Sequence, residues 1–362
     1  MRVVHVTAAR RPGFDHGVVL GGLERFLQEL IPAEQALGLD VGVLEISLEA
    51  LAASSDAVSQ YDWGKVSAIG REVLGTFRAD VFHFHDWYGG VVLEFLYRQG
   101  IRSLVVSSHL PLRRGFTYRD VGLSWEAKSL VENRCLQAAP YITVPSSYAK
   151  HFLINEYGLF AERISVIQHG VNGSTFYPRR RSFAEEAPRL IAVGRFTDQK
   201  GFELLVRAFK LILSVEPDAR LTIVGHGEKR DGLCHLINDL NLNKSVAVLD
   251  GKSKIELASL YSDSTLLIIP SQFEPFGLVG LEAMACGCPV LAIAPTGASE
   301  YLTAEELTNA YSIRQLAEAI CSRILVLREQ TASRHLVQLR TKEWTWQRAA
   351  IAYRELYNRC LV

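Results

Sequence analysis

The chain has 362 residues, 48% of them hydrophobic and 22% charged, a composition that excludes a disordered or fibrous protein and predicts two globular domains. Its 39 Lys and Arg residues balance 39 Asp and Glu residues, so no overall charge attracts nucleic acid or an anionic membrane. No apolar run approaches the roughly 20 residues of a membrane-spanning helix, and the stretch after Met1 lacks a signal-peptide core, so we expect a cytoplasmic protein.

Short β-branched runs alternate with helical stretches along the chain, which is the pattern of parallel βαβ units. The first series of predicted strands covers residues 3–6, 41–46, 81–84, 104–107, 141–144 and 164–167. The second series covers residues 190–193, 221–224, 246–249, 266–269 and 290–293. The sequence therefore predicts an α/β fold with two doubly wound Rossmann-like domains, residues 1–177 and 189–340, that face a central cleft.

Residues 178–188 separate the two series and are polar, charged and bracketed by prolines, which is typical of an interdomain linker. At the end of the chain, residues 341–362 carry apolar and aromatic side chains close to a 3.6-residue period. These side chains are Trp344, Ala349, Ala350, Tyr353, Leu356 and Tyr357. The period predicts a helix that packs against another element.

Several classes of site are disfavoured. The six cysteines are scattered and form no Cys-x-x-Cys pair, which argues against a zinc site or a disulfide framework. His83 and His85 are expected on opposite faces of a strand, and no carboxylate or thiol cluster completes a ligand set, so no metal site is predicted. The sequence also lacks a serine-hydrolase elbow, a P-loop and the glycine fingerprint of an NAD dehydrogenase.

Three features of the first series lie where a strand ends. Gly21 and Gly22 begin a helix and offer backbone N–H groups to a ligand, and a flexible turn explains them about equally well. His109 follows the strand at 104–107, at the end where parallel sheets bind ligands, although a lone histidine is more often structural. Residues 85–87 follow another strand and either are structural or line an acceptor site.

Two cations lie at the start of the second series. Arg195 follows Gly194 at the end of a strand, and Lys200 comes just before the next helix. Two fixed positive charges beside a helix N-terminus would stabilise a diphosphate as negative charge grows on a departing oxygen. Exposed charges in a loop are the alternative. Gly225, after the next strand, marks either a plain turn or the wall of a nucleotide site.

The strongest signal is the segment 271–290, in which Glu274 precedes a helix that begins near Gly277 and continues through Glu282. The N–H groups at the helix start favour a phosphate, and Gly277 lets the backbone approach it. The two carboxylates can accept hydrogen bonds from vicinal hydroxyls. In the alternative interpretation Glu274 interacts with the helix dipole, Glu282 is solvated and Leu278 is a core residue.

Taken together, these motifs resemble the retaining GT-B glycosyltransferases of the glycogen-synthase and mannosyltransferase-like superfamily, which includes proteins like those of glycosyltransferase family 4. The resemblance covers nearly the whole chain and is most specific over residues 193–289. It implies a C-terminal domain that binds a nucleotide-diphosphate sugar, an N-terminal domain that binds the acceptor, and a last helix that packs on the N-terminal domain. It implies no metal or other cofactor, since the nucleotide sugar is a co-substrate.

The resemblance also implies roles for individual residues. Arg195 and Lys200 would bind the donor diphosphate, Glu282 the ribose hydroxyls and Glu274 the transferred sugar near its 3-hydroxyl. His109 would lie near the reacting sugar and complete a catalytic set with Arg195, Lys200 and Glu274. The predicted donor site further contains Gly21, Gly22, Gly225, Phe276, Gly277, Leu278 and Val279.

The sequence departs from the family pattern at two places. The region that follows the glutamate helix, residues 296–302, is shortened and leads almost directly into a helical stretch at 313–317. Residues 169–172 read His-Gly-Val-Asn where Asn-Gly-Val-Asp is common. The first departure affects the edge of the donor site and any inference about the base, and the second affects packing.

The predicted activity is transfer of a hexosyl unit from a nucleotide-diphosphate sugar, most often a UDP-sugar in the family, to a hydroxyl of a soluble small molecule or saccharide. A nucleotide-sugar epimerase or hydrolase and an inactive donor-binding subunit are the alternatives. Membrane association is not predicted, because the arginines of the N-terminal half form only a loose group. Phe116 and Tyr118, in the loop 110–118, suit stacking on a sugar ring.

Overall fold

A computed structural model describes residues 1–8, 22–46, 63–76, 78–112, 125–179, 187–329 and 333–362. Gly21, residues 180–186 of the predicted linker and residues 113–118 of the predicted sugar-stacking loop lie outside the described residues. The chain divides into two compact units. The described residues up to Gln168 and Trp346–Val362 belong to the first unit, and His169–Thr345 belong to the second.

The first unit contains a six-stranded parallel sheet with the strand order β2-β1-β3-β4-β5-β6. Its strands are β1 (Arg2–Ala8), β2 (Asp40–Ile46), β3 (Val81–His85), β4 (Leu104–Ser107), β5 (Tyr141–Val144) and β6 (Ile164–Val166). Its described helices are Gly22–Ala36, Trp63–Thr76, Gly90–Arg98, Trp125–Ala138, Ser147–Tyr157 and Trp346–Cys360. Strands β3 and β4 are buried along their whole length, as expected for a parallel sheet covered on both faces.

The last helix begins at Trp346, five residues later than the sequence pattern predicts. Before it, the N–H of Trp344 donates to the carbonyl of Thr341 in a turn, and the carbonyl of Trp344 accepts from the N–H of Val171. These bonds hold Trp344 in the second unit and outside the helix. The helix itself packs on Gly22–Ala36 in the first unit.

The second unit contains another six-stranded parallel sheet, with the order β12-β11-β10-β7-β8-β9. Its strands are β7 (Arg189–Val193), β8 (Arg220–Val224), β9 (Val246–Leu249), β10 (Leu266–Ile269), β11 (Val290–Ile293) and β12 (Leu307–Thr308). Its described helices are Phe202–Ile212, Arg230–Asp239, Lys254–Asp263, Leu278–Ala285, Ile313–Glu329 and Ser333–Leu339. The two-residue strand β12 is absent from the sequence prediction because a hydrophobic period cannot be recognised in so short a segment.

Successive residues of the central strands face two separate hydrophobic clusters. Leu190 and Leu266 pack with the helices Phe202–Ile212 and Ile313–Glu329, whereas Ile191, the residue after Leu190, packs with the helices on the other face. This alternation follows from the two-residue period of a β-strand. The sheet is therefore a middle layer between two helical layers, and the predicted α/β class with doubly wound sheets is confirmed.

The strand order of the second unit defines where a ligand can enter. Strands β7 and β10 are neighbours in the sheet although two strands lie between them in the chain. From β7 the chain continues through β8 and β9 to one edge of the sheet, and from β10 it continues through β11 and β12 to the other edge. Ligands of open α/β sheets bind beyond the carboxyl ends of the strands at such a switch point. None of the described helices is long and apolar enough to span a membrane.

Candidate active site

The segments that follow β7 and β10 are tied together by Gln199, a residue that the sequence analysis did not single out. The carbonyl of Gln199 accepts from the N–H of Gln272 at 2.8 Å, and its side-chain amide donates to the carbonyl of Phe273 at 2.8 Å. Gln199 is only 1% exposed. Its two bonds fix the loop that carries Lys200 against the loop that carries Glu274.

Gly201 permits the close approach of these loops. Its φ of +66° is left-handed, and a Cβ at this position would collide with the carbonyl oxygen of Pro270. Only glycine satisfies both constraints without strain. Gly201 also caps the helix Phe202–Ile212, so Lys200 is held at the end of β10 by the turn that starts this helix.

Lys200 and Glu274 form an ion pair at the switch point. The Nζ of Lys200 lies 2.7 Å from Oε2 of Glu274, and the Oγ of Ser271 donates to the same oxygen at 3.1 Å. The side chains are 17% and 9% exposed, so the pair is accessible from one side only. The structure brings together the cation and the carboxylate that the sequence assigned separately to diphosphate and sugar.

The backbone around Glu274 is fixed by the turn that follows β11. The N–H of Gly297 donates to the carbonyl of Glu274 at 2.7 Å, and a Cβ at Gly297 would collide with the carbonyl of Pro275. Glycine is therefore required at 297 by the close passage of two backbones. The segment 296–302, which the sequence analysis noted as shortened, packs directly behind the glutamate loop.

Gly277 starts the helix Leu278–Ala285 with a left-handed φ of +82°. Its carbonyl accepts a 2.5 Å hydrogen bond from the hydroxyl of Tyr301, and a Cβ at Gly277 would lie 2.9 Å from that hydroxyl. The N–H groups of the first turn, at Leu278 and Val279, lack carbonyl partners within the helix by its geometry and are suited to an anion. Both residues are partly exposed.

Phe276 has a buried side chain. Its ring is 3% exposed and packs against His169, Tyr301 and Trp344 at centroid distances of 5.0, 5.5 and 6.1 Å. The ring therefore belongs to an aromatic cluster of the core, and the predicted donor contact of Phe276 can involve only its backbone. This cluster positions the start of the helix at Gly277.

Glu282 is buried in the same helix. It is 6% exposed, and its Oε2 accepts a hydrogen bond of 3.2 Å from the hydroxyl of Tyr261. The alternative interpretation in which Glu282 is a solvated residue is wrong, because Glu282 is buried together with its neighbours Leu281 and Ala283 in the helix. A carboxylate accepts hydrogen bonds and donates none, so Glu282 is of the residue type that binds hydroxyl groups.

Arg195 and Gly225 lie in two loops that are joined through their backbones. The N–H of Phe196 donates to the carbonyl of His226 at 2.6 Å, and a Cβ at Gly225 would collide with the carbonyl of Gly194. The absence of a side chain at 225 is therefore explained by packing alone. Arg195 is partly exposed on the loop that this contact supports.

The sequence-predicted residues of the first unit lie at the ends of its strands. His109 follows β4, and Asp86 accepts through Oδ1 from the N–H of His109 at 2.7 Å and from the N–H of Leu110 at 3.2 Å. Asp86 has a left-handed φ of +53°. Burial lowers the pKa of His109 to about 3, so its imidazole is neutral at pH 7. Gly22 begins the helix Gly22–Ala36.

The expectation that His83 and His85 face opposite sides of β3 is wrong. Residues two apart in a strand share a face, and the two rings are 4.2 Å apart. With His5 of β1 they form a fully buried group whose nearest nitrogens lie within 4.8 Å of one another. Hydrogen bonds to Glu34, Tyr357 and Ser107 satisfy this group. The absence of a metal site stays a prediction.

Comparisons with known proteins assign the chain to a family. The model for Glycosyltransferase Family 4 matches residues 20–175, and the model for Glycosyl transferases group 1 matches residues 174–335. Together the two models cover every strand of the two series except the first, Arg2–Ala8.

The proteins similar to the chain include two relatives and one solved structure. An uncharacterized glycosyltransferase from Methanocaldococcus jannaschii is 30% identical over an alignment of 247 residues, which covers 64% of the chain and 62% of that protein. A D-inositol 3-phosphate glycosyltransferase from Pseudarthrobacter chlorophenolicus is 29% identical over 82% of the chain and 79% of its own length. The structure of sucrose-phosphate synthase from Thermosynechococcus elongatus superposes with a TM-score of 0.80 at 24% identity, over 99% of both chains. The chain therefore belongs to the GT-B glycosyltransferases, as the sequence motifs had indicated.

Proposed function

We propose that the chain is a retaining glycosyltransferase that moves a hexosyl unit from a nucleotide-diphosphate sugar to a hydroxyl of a soluble small molecule or saccharide. The observation that carries this proposal is the Lys200–Glu274 ion pair at the switch point of the second sheet, beside the helix start at Gly277. One cation, one carboxylate and a helix N-terminus then converge where such sheets bind their ligands.

The cations fit the leaving group of this reaction. Transfer breaks the bond between the anomeric carbon and a phosphate oxygen, so negative charge grows on the diphosphate. The ammonium of Lys200 has three N–H donors and can bind Glu274 and a phosphate oxygen at once. Arg195 adds a planar fork of donors suited to phosphate, and the N–H groups of Leu278 and Val279 add neutral ones.

The two carboxylates fit the hydroxyl groups of the donor. Glu274 is oriented by Lys200 and Ser271, so that its second oxygen is set for the transferred sugar. Glu282 lies two turns further along the chain and is oriented by Tyr261, which suits it to the vicinal hydroxyls of a ribose. A single extended ligand can therefore contact both residues, with its diphosphate between them.

Uridine diphosphate is our choice of carrier, because members of the family use it most often. For the acceptor, the name of one relative specifies D-inositol 3-phosphate, and the name of the structural neighbour specifies a phosphorylated sugar, sucrose phosphate, as its product. These names support a small, soluble polyol or sugar acceptor, and they make phosphorylated polyols and hexose phosphates the first compounds to examine.

The experiment has two stages. Thermal unfolding is first measured with a panel of nucleotide sugars, since a ligand at 100 times its Kd stabilises the folded state by about 2.7 kcal/mol. The best donor is then incubated with inositol phosphates, hexose phosphates and free sugars, and the product is analysed by NMR. We expect an α-linked product from an α-linked donor and full activity in the presence of a chelator.

Each alternative has a distinct outcome. A β-linked product would contradict retention, and loss of activity with chelator would contradict metal independence. Turnover of the donor that does not depend on any acceptor would favour an epimerase or hydrolase. A panel in which no nucleotide sugar raises the unfolding temperature would overturn the donor site.

A further inference from the structure

A chain of three hydrogen bonds runs through the interior of the first unit and ends at His109. Glu34 Oε2 is 2.8 Å from His5 Nε2, His5 Nδ1 is 2.9 Å from His85 Nε2, and His85 Nδ1 is 3.1 Å from His109 Nε2. Glu34, His5 and His85 are fully buried. The chain connects the helix Gly22–Ala36, two adjacent strands and the end of a third.

Glu34 gives this chain a direction. A carboxylate only accepts hydrogen bonds, so Nε2 of His5 donates to Glu34. In a chain of neutral imidazoles, where each ring has one donor and one acceptor nitrogen, His5 then accepts at Nδ1 and His85 donates from Nε2 and accepts at Nδ1. This direction ends with His109 donating from Nε2.

A side branch strengthens the acceptor role of Glu34. The hydroxyl of Tyr357, from the last helix, donates to Oε1 of Glu34 at 2.9 Å and bonds Nδ1 of His83 at 2.7 Å. His83 in turn bonds Ser107 at 2.7 Å. Both oxygens of the carboxylate therefore receive donors, and the branch does not include His85 or His109.

The pKa values of two histidines in this buried group agree with the tautomers given above. Burial, followed by the nearby His5 and His109, holds the pKa of His83 well below its usual value, and burial lowers the pKa of His109 to about 3. The other titratable groups that face the cluster are Glu34, His85, Tyr353, Tyr357 and the side chain of Asp86. A neutral His109, with one donor and one acceptor nitrogen, agrees with these bond directions.

We propose that Glu34 is a positioning residue which, through His5 and His85, holds His109 in the tautomer that donates from Nε2 and accepts at Nδ1. The inference rests on the proposed function and on the resemblance, which implies that His109 lies near the reacting sugar. The tautomer decides whether Nδ1 of His109 accepts or donates a hydrogen bond. Asp86 fixes the backbone of His109, and the buried chain fixes its ring.

The alternative is that the chain only satisfies buried polar groups. A structural role of this kind predicts that its removal changes stability and leaves the chemical step intact. A positioning role predicts a loss in kcat at little cost to donor binding, because a misplaced tautomer of His109 still occupies the same space. The two roles are therefore separable by experiment.

The first test reads the tautomer in the whole protein without substrate. Protein labelled with 15N in histidine is examined by NMR, and the signals of His109 are assigned from the spectrum of His109→Asn. We expect the Nε2–H tautomer in the parent and a mixture in Glu34→Gln, since the amide can donate as well as accept. An Nδ1–H tautomer in the parent, or an unchanged signal in Glu34→Gln, would overturn the inference.

The second test is kinetic. Glu34→Gln is expected to lower kcat by roughly 10-fold to 100-fold, the range of a lost acid–base or orienting contact, with KM for the donor changed less than about threefold. Tyr353→Phe is the matched control, because it removes a fully buried hydroxyl that bonds Ser107 and lies outside the chain. Should Glu34→Gln fail to fold, His5→Phe interrupts the same chain in a side chain of similar shape.

The outcomes distinguish this inference from the proposed function. A parent without transfer activity on any donor and acceptor would overturn the proposed function and the role of His109 with it. An active parent whose kcat is unchanged by both Glu34→Gln and His5→Phe would overturn the positioning role alone. A fall in kcat that Tyr353→Phe reproduces would show that the effect is structural and would also overturn it.

Discussion

Lys200 and Glu274 are 74 residues apart in the chain, and their charged groups are 2.7 Å apart at the ends of two neighbouring strands. The ion pair offsets part of the desolvation free energy of both side chains, because a partly buried charge without a partner destabilises the folded state. The pair also limits where a ligand can bind, because a phosphate oxygen that approaches Lys200 must lie beside the carboxylate. In the proposed function, stability and donor binding therefore depend on the same two side chains.

Lys200→Met is expected to lower kcat by about two orders of magnitude, because it removes one preorganised cation from the leaving group. It is also expected to lower the unfolding temperature, since Glu274 loses its partner. In the double variant Lys200→Met with Glu274→Gln, stability should recover while activity does not. Steady-state kinetics and thermal unfolding of the four proteins measure both effects.

The role of Lys200 follows from comparing the activity of the single variant Lys200→Met with that of the double variant. Recovery of activity in the double variant would show that Lys200 serves only to neutralise Glu274. If Lys200→Met retains activity within a few-fold of the parent, Lys200 does not stabilise the leaving group.

Arg195→Ala is expected to lower kcat/KM for the donor by roughly 10²-fold, because a guanidinium that binds a diphosphate is lost. Arg207→Ala provides the control. Arg207 forms an exposed ion pair with Glu203 one turn away in the helix Phe202–Ile212, and such pairs contribute little. Equal kinetics for the two variants would remove Arg195 from the site.

The sequence was informative wherever a local pattern decides the structure. The strand ends that carry Arg195 and Glu274 follow from β-branched runs bounded by turns, and the helix start at Gly277 follows from its glycine and the apolar residues after it. The same local reasoning could not find Tyr301, which bonds the carbonyl of Gly277 from 24 residues away. Its contact depends on the turn after β11, and that turn has no signature of its own.

The buried histidines show a different limit. The sequence analysis treated His83, His85 and His109 one at a time and placed the first two on opposite faces. The two-residue period of a strand would have placed them together. Their connection to Glu34 and Tyr357 could not be predicted, because it depends on two helices that come together only in the folded first unit.

Gly280→Ala is expected to destabilise the second unit by about 1–3 kcal/mol, because a Cβ there would collide with the hydroxyl of Tyr301 and overpacking carries a cost of this size. In the Tyr301→Phe background the same substitution should cost less, since the hydroxyl is absent. Denaturant unfolding of the parent, the two single variants and the double variant measures the difference. Strictly additive changes would show that Tyr301 is not the obstacle.

The stability of the first unit is expected to fall as the pH drops below 6.5, and His83 is expected to cause part of the fall. The pKa of His83 is held well below its ordinary value of 6.5 in the folded state, mainly by burial and further by His5 and His109. The unfolded chain therefore binds a proton that the folded chain does not. The stability that neutral His83 provides is present above pH 6.5 and is lost as the pH falls, by up to about 1.4 kcal/mol per pH unit.

His83→Gln removes this titration, so the variant should lose less stability than the parent between pH 7.5 and pH 5. Unfolding in denaturant at the two pH values gives both numbers, and comparing the pH-dependent difference corrects for any constant effect of the substitution. His151→Gln, at an exposed position of the helix Ser147–Tyr157, should leave the difference as it is in the parent. If His83→Gln loses as much stability as the parent over this range, His83 takes up its proton in the folded state, and the buried cluster is not neutral.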